Sequence, residues 1–479
     1  MHTETKTQQL FRRNILLLLL VNLIVKPAYI LLIDAQVQNV LGEETYGMFF
    51  SLFNFCILFQ ILLDPGIHNY NAQLIAKDNE RAGQHFSNIA GSKLILTVLY
   101  SGVVMLAAII IAFPASFYAY LPGILGIIVG TSFLNYLRSH FSALGYYSHE
   151  AVFSGLDKLL MILFIGYFLY YKKEIDLGVF ISAQLVALFI SCTVFVISLS
   201  AFIRLRLSFS IAATIRLVRE TTPYALVLLL MTLYTRVDGV MLERLLDDNA
   251  FSAGLYARSF RLLDASNMIG LLFTMLMLPM FARLLQKKAA LNALVEEISR
   301  LLFIIALTLC LVCWFYNQDI MNLIYIDNTD EHYKVFRYLM LAFFTMSLSN
   351  IFGCLFLASK KLKQINWVFF AGLVTNVLLN FILIPPQGAF GAVIASLATQ
   401  FFVFMGQALL AFRSFELKYT LKTWTGFILL TAFSCLIFVL LANKTPLFWI
   451  IELALISFLV WGLAFLLRFI SLSLVSARG

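Results

Sequence analysis

The sequence predicts an all-α polytopic membrane protein with fourteen transmembrane helices, and three observations carry that expectation. Hydrophobic residues make up 61% of the 479 positions and charged residues only 12%, with a mean hydropathy of +0.91. No soluble domain of this length manages with so little polar surface. The apolar residues gather into segments of about 18–25, enough to cross a hydrocarbon core of roughly 30 Å. The loops between them alternate between basic and acidic, as the positive-inside rule demands. Backbone groups in lipid must be satisfied within their own segment, so the spans are helical.

Taken in order, span 1 covers 14–33, behind Lys6, Arg12 and Arg13. Lys26-Pro27 interrupts it and no small-residue cleavage site follows, so it reads as a retained helix rather than a removable signal. Spans 2 to 6 fall at 46–64, 89–112, 121–145, 151–171 and 177–203. Gly126 and Gly130 give span 4 a small-xxx-small pattern suited to close helix packing. Residues 204–221 (RLRLSFSIAATIRLVRET) break the rhythm of short loops and form a basic amphipathic connector of the kind that lies on an anionic leaflet. Spans 7 to 12 follow at 222–246, 253–283, 300–317, 334–358, 364–384 and 390–412, and spans 13 and 14 at 422–442 and 446–470. The expected organisation is therefore an N-lobe over 1–203, the connector over 204–221, a C-lobe over 222–412, and an appended pair over 413–479. Placing both termini in the cytoplasm leaves about 22 of the 34 Lys and Arg in inner segments and about five in outer ones. That distribution accounts for most of the net charge of +9 and removes the reason to invoke nucleic acid.

Charges inside the spans are the informative exception, because each costs roughly 2.5–3.5 kcal/mol at the bilayer centre. Lys26, Arg138, Asp157, Lys158, Arg236, Asp238, Arg258, Arg261 and Asp264 all lie in mid-span. Helical spacing collects several into polar stripes: Asn22, Lys26 and Tyr29 in span 1, Thr131, Asn135, Arg138 and Ser142 in span 4, and Arg258, Arg261 and Asp264 in span 8. Spans 11 and 12 add Asn376 with Asn380 and Ser396 with Gln400. Two readings stand side by side. Arg138 with Asp157 and Asp238 with Arg258 lie at matching depths about a turn, the arrangement of interhelical salt bridges. Bases nevertheless outnumber acids, and uncompensated cations in a low-dielectric cavity attract phosphate, which Arg grips with a two-pronged fork. On that reading Lys26, Arg138, Lys158, Arg236, Arg258 and Arg261 bind an anionic substrate, with Asn22, Asn135, Asn380 and Gln400 as further polar lining.

Other motifs carry less. The six cysteines all fall in apolar segments, and Cys310-Leu-Val-Cys313 lacks further ligands, so packing is the expected role. There is no phosphate-cradling glycine loop, nucleophile triad or metal cluster, so neither catalysis nor a cofactor is expected. The halves echo each other: Gly47-Met-Phe49 opens span 2 and Gly254-Leu-Tyr256 opens span 8, each about 20 residues after a helix carrying one base, Lys26 or Arg236.

The run Arg236-Val-Asp238-Gly, Ala253-Gly-Leu-Tyr256-Ala-Arg258, Arg261-Leu and Leu278-Pro279-Met-Phe-Ala-Arg283 resembles the second-lobe signature of the polysaccharide transport family. That family belongs to the superfamily of multidrug, oligosaccharidyl-lipid and polysaccharide exporters. Gly42-Glu-Glu-Thr-Tyr46-Gly47, Leu63-Asp64-Pro-Gly66 and Asn71-Ala72 resemble its first-lobe counterpart. The resemblance implies two six-helix lobes in a V plus two C-terminal helices, alternating access around a cationic cavity. It also implies a Wzx-like flippase for an undecaprenyl-pyrophosphate-linked oligosaccharide in the bacterial inner membrane, serving O-antigen, capsule or exopolysaccharide synthesis. Membrane lipid, a glycan polymerase and export machinery are the partners it implies. Lipid II flippases of the superfamily usually carry arginine in spans 1 and 2, and span 2 here has none. Drug antiporters of the superfamily typically have twelve spans.

Asp238 or Asp264 is the expected ion-coupling group. A cation-coupled drug or metabolite antiporter, exchanging through Asp34 and Asp238, is the alternative. A glycan polymerase is disfavoured, because the longest outer loop has only about 16 residues.

Overall fold

A computed structural model describes residues 24–146, 149–150, 153–442, 448–467 and 469. Among these residues every regular element is helical, and ten helices are long and apolar enough to cross a membrane. One of them, Leu362–Ser414, is two spans in series, bent at Gly388 where φ is 55° and ψ is −135°. Pro385 and Pro386 precede the bend, and without an N–H to donate they leave the ladder weakest there.

Three expected spans lack a continuous apolar helix, each for a local reason. Span 1 is described from residue 24, passes through a π-helical turn at Tyr29–Asp34, and ends at Gly42, whose φ of 74° places it in the left-handed region. Span 2 was expected to stop at 64, but Asp64-Pro65-Gly66 is only a break. The helix resumes as Ile67–Lys77 because the Asp64 carboxylate accepts the backbone N–H of both Gly66 and Ile67, capping the new start. Span 5 runs from Leu156–Gly166 into a second π-helical segment, Tyr167–Lys172.

The chain divides into two compact units, Met1–Ala257 and Arg258–Gly479. The division falls inside span 8 (Phe251–Leu284), so span 7 (Ile211–Leu245) groups with the first unit. The expected connector has two parts: 204–210 has no regular secondary structure, and 211–221 is helix that leads into the apolar stretch at 225–245, capped by the Ser210 hydroxyl.

In the first unit, span 3 (Ala82–Ile111) is a post against which spans 2, 4 and 7 pack. Lys93 is fully buried in it. Its ammonium donates to Asp64 at 3.1 Å and to Ser132 of span 4 (Leu121–Ala143) at 2.8 Å, and lies 5.6 Å from the Phe133 ring. Nearby, Asn71 donates to Ser139, and the Tyr136 hydroxyl donates to the Phe86 carbonyl. At the other end of the post, Arg244 donates to the Ile111 and Ala112 carbonyls, a cation on the negative end of a helix dipole.

In the second unit, span 9 (Lys288–Phe315) packs against spans 13 and 14 (Leu421–Leu441 and Trp449–Leu466) through Ile304, Leu307, Leu311, Leu430, Phe438, Ile456 and Val460. Cys310 and Cys313 are buried in span 9. Glu296 fastens the appended pair: it accepts the N–H and hydroxyl of Thr420 at 3.1 and 2.8 Å and the hydroxyl of Thr423.

The buried pair makes a clear prediction. Lys93→Met alone strands a buried carboxylate and should cost about 3–5 kcal/mol, whereas adding Asp64→Asn, which keeps the cap, should recover most of that loss. Denaturation of the single and double variants in detergent measures both, and a double variant as unstable as Lys93→Met refutes the pairing argument.

Candidate functional site: an open cationic stripe in the first unit

Span 4 carries two polar stripes, and they have opposite fates. Ser132, Tyr136, Ser139 and His140 are buried against span 3 and the Ile67–Lys77 helix. Thr131, Arg138 and Ser142 are half-buried, and Asn135 is exposed. Polar side chains on a transmembrane helix are costly against hydrocarbon and favour a protein-facing or water-facing side.

Three predicted bases meet along this open face. The electrostatic neighbours of Lys26 are Arg138, Asp157 and Lys158. Lys158 lies 3.5 Å from Asp157 and 4.8 Å from the centre of the Tyr29 ring of span 1. Arg138 reaches Glu150 at 4.0 Å, and its Nε is buried with no hydrogen-bond partner among the described residues. The expected Arg138–Asp157 bridge is therefore replaced by two others. The reason is geometric: Lys158 folds back on its neighbour, while the long arginine stem extends towards the end of its helix, where Glu150 sits. Lys26 has no carboxylate within 4.0 Å among the described residues. Three bases face two acids, and all three bases are half-buried.

Span 1 presents Lys26 by an unusual path. The π-helical turn beyond it frees the Leu32 carbonyl, which accepts the Tyr170 hydroxyl at 3.0 Å, so the π segments of spans 1 and 5 are tied together. At the end of the turn Asp34 is buried and accepts from Tyr46 at 2.9 Å and Gln38 at 3.2 Å. Asp238 is buried likewise and accepts from Tyr256 at 3.0 Å. Each acid is thus bonded by a tyrosine of the following span. Asn22 lies outside the described residues.

The remaining predicted residues each have their own local surroundings. Arg236 is half-buried in span 7. Arg258 is buried and donates to the Ile326 carbonyl at 2.8 Å and to Asn328 at 3.3 Å, bracing the 325–329 loop. Arg261 has Asp264 one turn away at 4.0 Å on its own helix. Asn380 and Gln400, expected as cavity lining, are buried instead. Asn380 donates to Asn376 at 3.1 Å. Close approach of the two spans explains the burial, since a Cβ on Gly372 would stand 2.5 Å from Val403.

Sequence reasoning missed Glu150 and the Asp64–Lys93 pair. The signal for the pair was present: the two flank one interhelical loop at matching depth, the same rule applied to Arg138 and Asp157. The echoing motifs prove to touch. A Cβ on Gly47 would stand 2.0 Å from the Ala250 carbonyl oxygen, and one on Gly254 would stand 2.0 Å from that of Glu43. The two helix starts therefore interlock backbone to backbone.

Residues 11–285 match the family model described as polysaccharide biosynthesis protein. Among solved structures the chain is similar to a lipid II flippase in an inward closed conformation, with a TM-score of 0.73 and 14% identity over 96% of this chain and 99% of that one. It is also similar to an inward-facing multidrug transporter of the MATE family, with a TM-score of 0.64 and 15% identity over 81% of this chain and 95% of that one. A Vibrio cholerae MATE transporter matches with a TM-score of 0.60 and 15% identity over 86% of this chain and 98% of that one. At these identities the matches establish the fold. No curated protein matches the chain in sequence.

Gly47→Ala and Gly254→Ala should each force the interlocked helix starts apart, because a side-chain carbon cannot sit 2.0 Å from a carbonyl oxygen. Spin labels at positions 43 and 250 should report a longer and broader distance than in the parent chain. An unchanged distance distribution refutes the close-contact reading.

Proposed function

The chain belongs to the polysaccharide biosynthesis protein family, and from that premise we propose that it is a flippase. Its cargo is an oligosaccharide linked through pyrophosphate to a polyprenyl carrier, moved across the bacterial inner membrane for surface polysaccharide synthesis. The observation that carries this reading is the open stripe of Lys26, Arg138 and Lys158, with its surplus positive charge.

The chemistry follows from those side chains. The pyrophosphate is the one part of the cargo that hydrocarbon rejects most strongly. Arg138 offers a planar fork to two phosphate oxygens. Lys26 and Lys158 supply mobile point charges on either side. Asn135 and Thr131 add neutral donors and acceptors for sugar hydroxyls. The prenyl tail stays in lipid while the head crosses between spans. Asp238 and Asp264 are the proposed ion-coupling groups, and both termini are placed on the cytoplasmic side.

A second reading is a cation-coupled antiporter, and one observation favours it: Asp34 and Asp238 are buried acids, each bonded by a tyrosine. Depletion separates the two. A flippase leaves prenyl-linked oligosaccharide accumulating on the inner leaflet with unchanged drug tolerance; an antiporter leaves surface glycan intact and raises sensitivity to cationic dyes.

Within the flippase reading, Lys26→Ala, Arg138→Ala and Lys158→Ala should each lower export at least about tenfold at normal expression, the loss of one charge-assisted contact. Arg138→Lys should fail to restore it, because an ammonium lacks the fork. Export assayed as surface glycan per cell is the measurement. Normal export by all three alanine variants overturns the assignment of this stripe.

A further inference from the structure

Span 3 is longer than a membrane is thick. Its apolar stretch, 94–112, already covers the hydrocarbon core, so the polar start carrying Gln84, His85, Ser87, Asn88 and Ser92 projects into the headgroup zone. Against this projecting part lies the non-helical segment 204–210. The Ser208 N–H donates to the Ser87 carbonyl at 3.2 Å. A Cβ on Gly83 would stand 3.1 Å from the Arg204 carbonyl oxygen, and one on Gly91 would stand 2.0 Å from that of Ser208. The segment is thus seated by its backbone, which leaves its side chains to point elsewhere. Thr214 then donates to Ser92, fixing the first turn of span 7 at the same level.

The side chains so displayed are of two kinds. Arg204, Arg206, Arg216 and Arg219 are all exposed, and none has a carboxylate within 4.0 Å among the described residues. Glu220, the nearest acid in sequence, accepts the Tyr70 hydroxyl. Between the arginines, Leu207, Phe209, Ile211 and Ile215 are 57%, 64%, 71% and 63% exposed. Guanidinium groups without acids and large apolar side chains without neighbours, held at headgroup depth, match one surface in both respects. The phosphates of anionic lipid pair with the first and the upper acyl region covers the second.

We infer that residues 204–219 are a docking surface for anionic phospholipid headgroups, anchoring the first unit to the leaflet on its side. Anionic lipid then binds the native fold at this place in preference to zwitterionic lipid, independently of the transported cargo.

Full-length protein in detergent, titrated with phosphatidylglycerol or phosphatidylcholine and read by native mass spectrometry, tests the preference. Hydrogen exchange over 204–222 in nanodiscs with and without phosphatidylglycerol tests the place. The parent chain should favour phosphatidylglycerol by about tenfold and exchange more slowly at 204–222 when that lipid is present. Arg204→Gln/Arg206→Gln/Arg216→Gln/Arg219→Gln should fall to parity and lose the protection, while Arg413→Gln/Lys418→Gln/Lys422→Gln, a basic surface elsewhere, should keep both. If the four-arginine variant is poorly folded by thermal unfolding, Arg204→Gln/Arg206→Gln on the non-helical segment alone should lose about half the preference on a logarithmic scale. The inference is overturned if the arginine variants keep the parental preference, if the control variant loses it equally, or if exchange at 204–222 ignores the lipid.

Discussion

Everything in this fold answers to one constraint: a charge placed within a transmembrane helix must face protein that pairs it or water that solvates it. The chain uses both solutions, and span 4 shows them on a single helix. Its buried stripe is closed by partners, with Ser132 in the Asp64–Lys93 pair and Ser139 against Asn71. Its other stripe, around Arg138, is left open. Burial with full pairing marks the residues that hold spans 2, 3 and 4 together. Half-burial with incomplete pairing sets Lys26, Arg138 and Lys158 apart from them.

The two units spend polarity differently. The first concentrates ionic groups: Asp64 with Lys93, Lys158 with Asp157, Arg244 with Glu243. In the second, the interior of spans 10 to 12 is lined by neutral amides, Asn376, Asn380, Gln400 and Gln407, buried between helices that approach closely at Gly372 and Gly406. Gln407 finds Ser349 at 2.7 Å and Asn380 finds Asn376, so these amides act first as interhelical glue. Glycine is needed in both units for the same reason, the approach of one backbone to another. It is indispensable where Gly47 and Gly254 interlock.

Helix content and most span positions were legible, because hydropathy over twenty residues is a strong signal. The placement of charges was legible only in part. Periodicity put Thr131, Asn135 and Arg138 on one face correctly, since it depends on local geometry alone. Pairing was not, because it depends on where a long side chain ends rather than where its Cα starts: Arg138 reaches Glu150, and Lys158 turns back to Asp157. Whether a polar residue lines a cavity or is sealed in a seam was invisible too. Asn135 and Asn380 look alike in sequence, yet one is open and the other buried, because Gly372 draws spans 11 and 12 together. The break at Asp64 hid behind its own remedy, a carboxylate that caps the helix it restarts.

The sign of what is open bears on the choice between anionic and cationic cargo. Acids suited to bind a cationic drug would need to be accessible, and Asp34 and Asp238 are both buried and already bonded by tyrosine hydroxyls. A bulky cation at either would have to displace that bond and open the packing around it. The bases are in the opposite situation. Lys26, Arg138 and Lys158 are half-buried together on one face, and Asp157 and Glu150 leave one positive charge uncompensated. A phosphate arriving there gains charge-assisted hydrogen bonds while giving up hydration to groups already partly desolvated. The same two acids, Asp157 and Glu150, limit the depth of the electrostatic well that a phosphate would meet there.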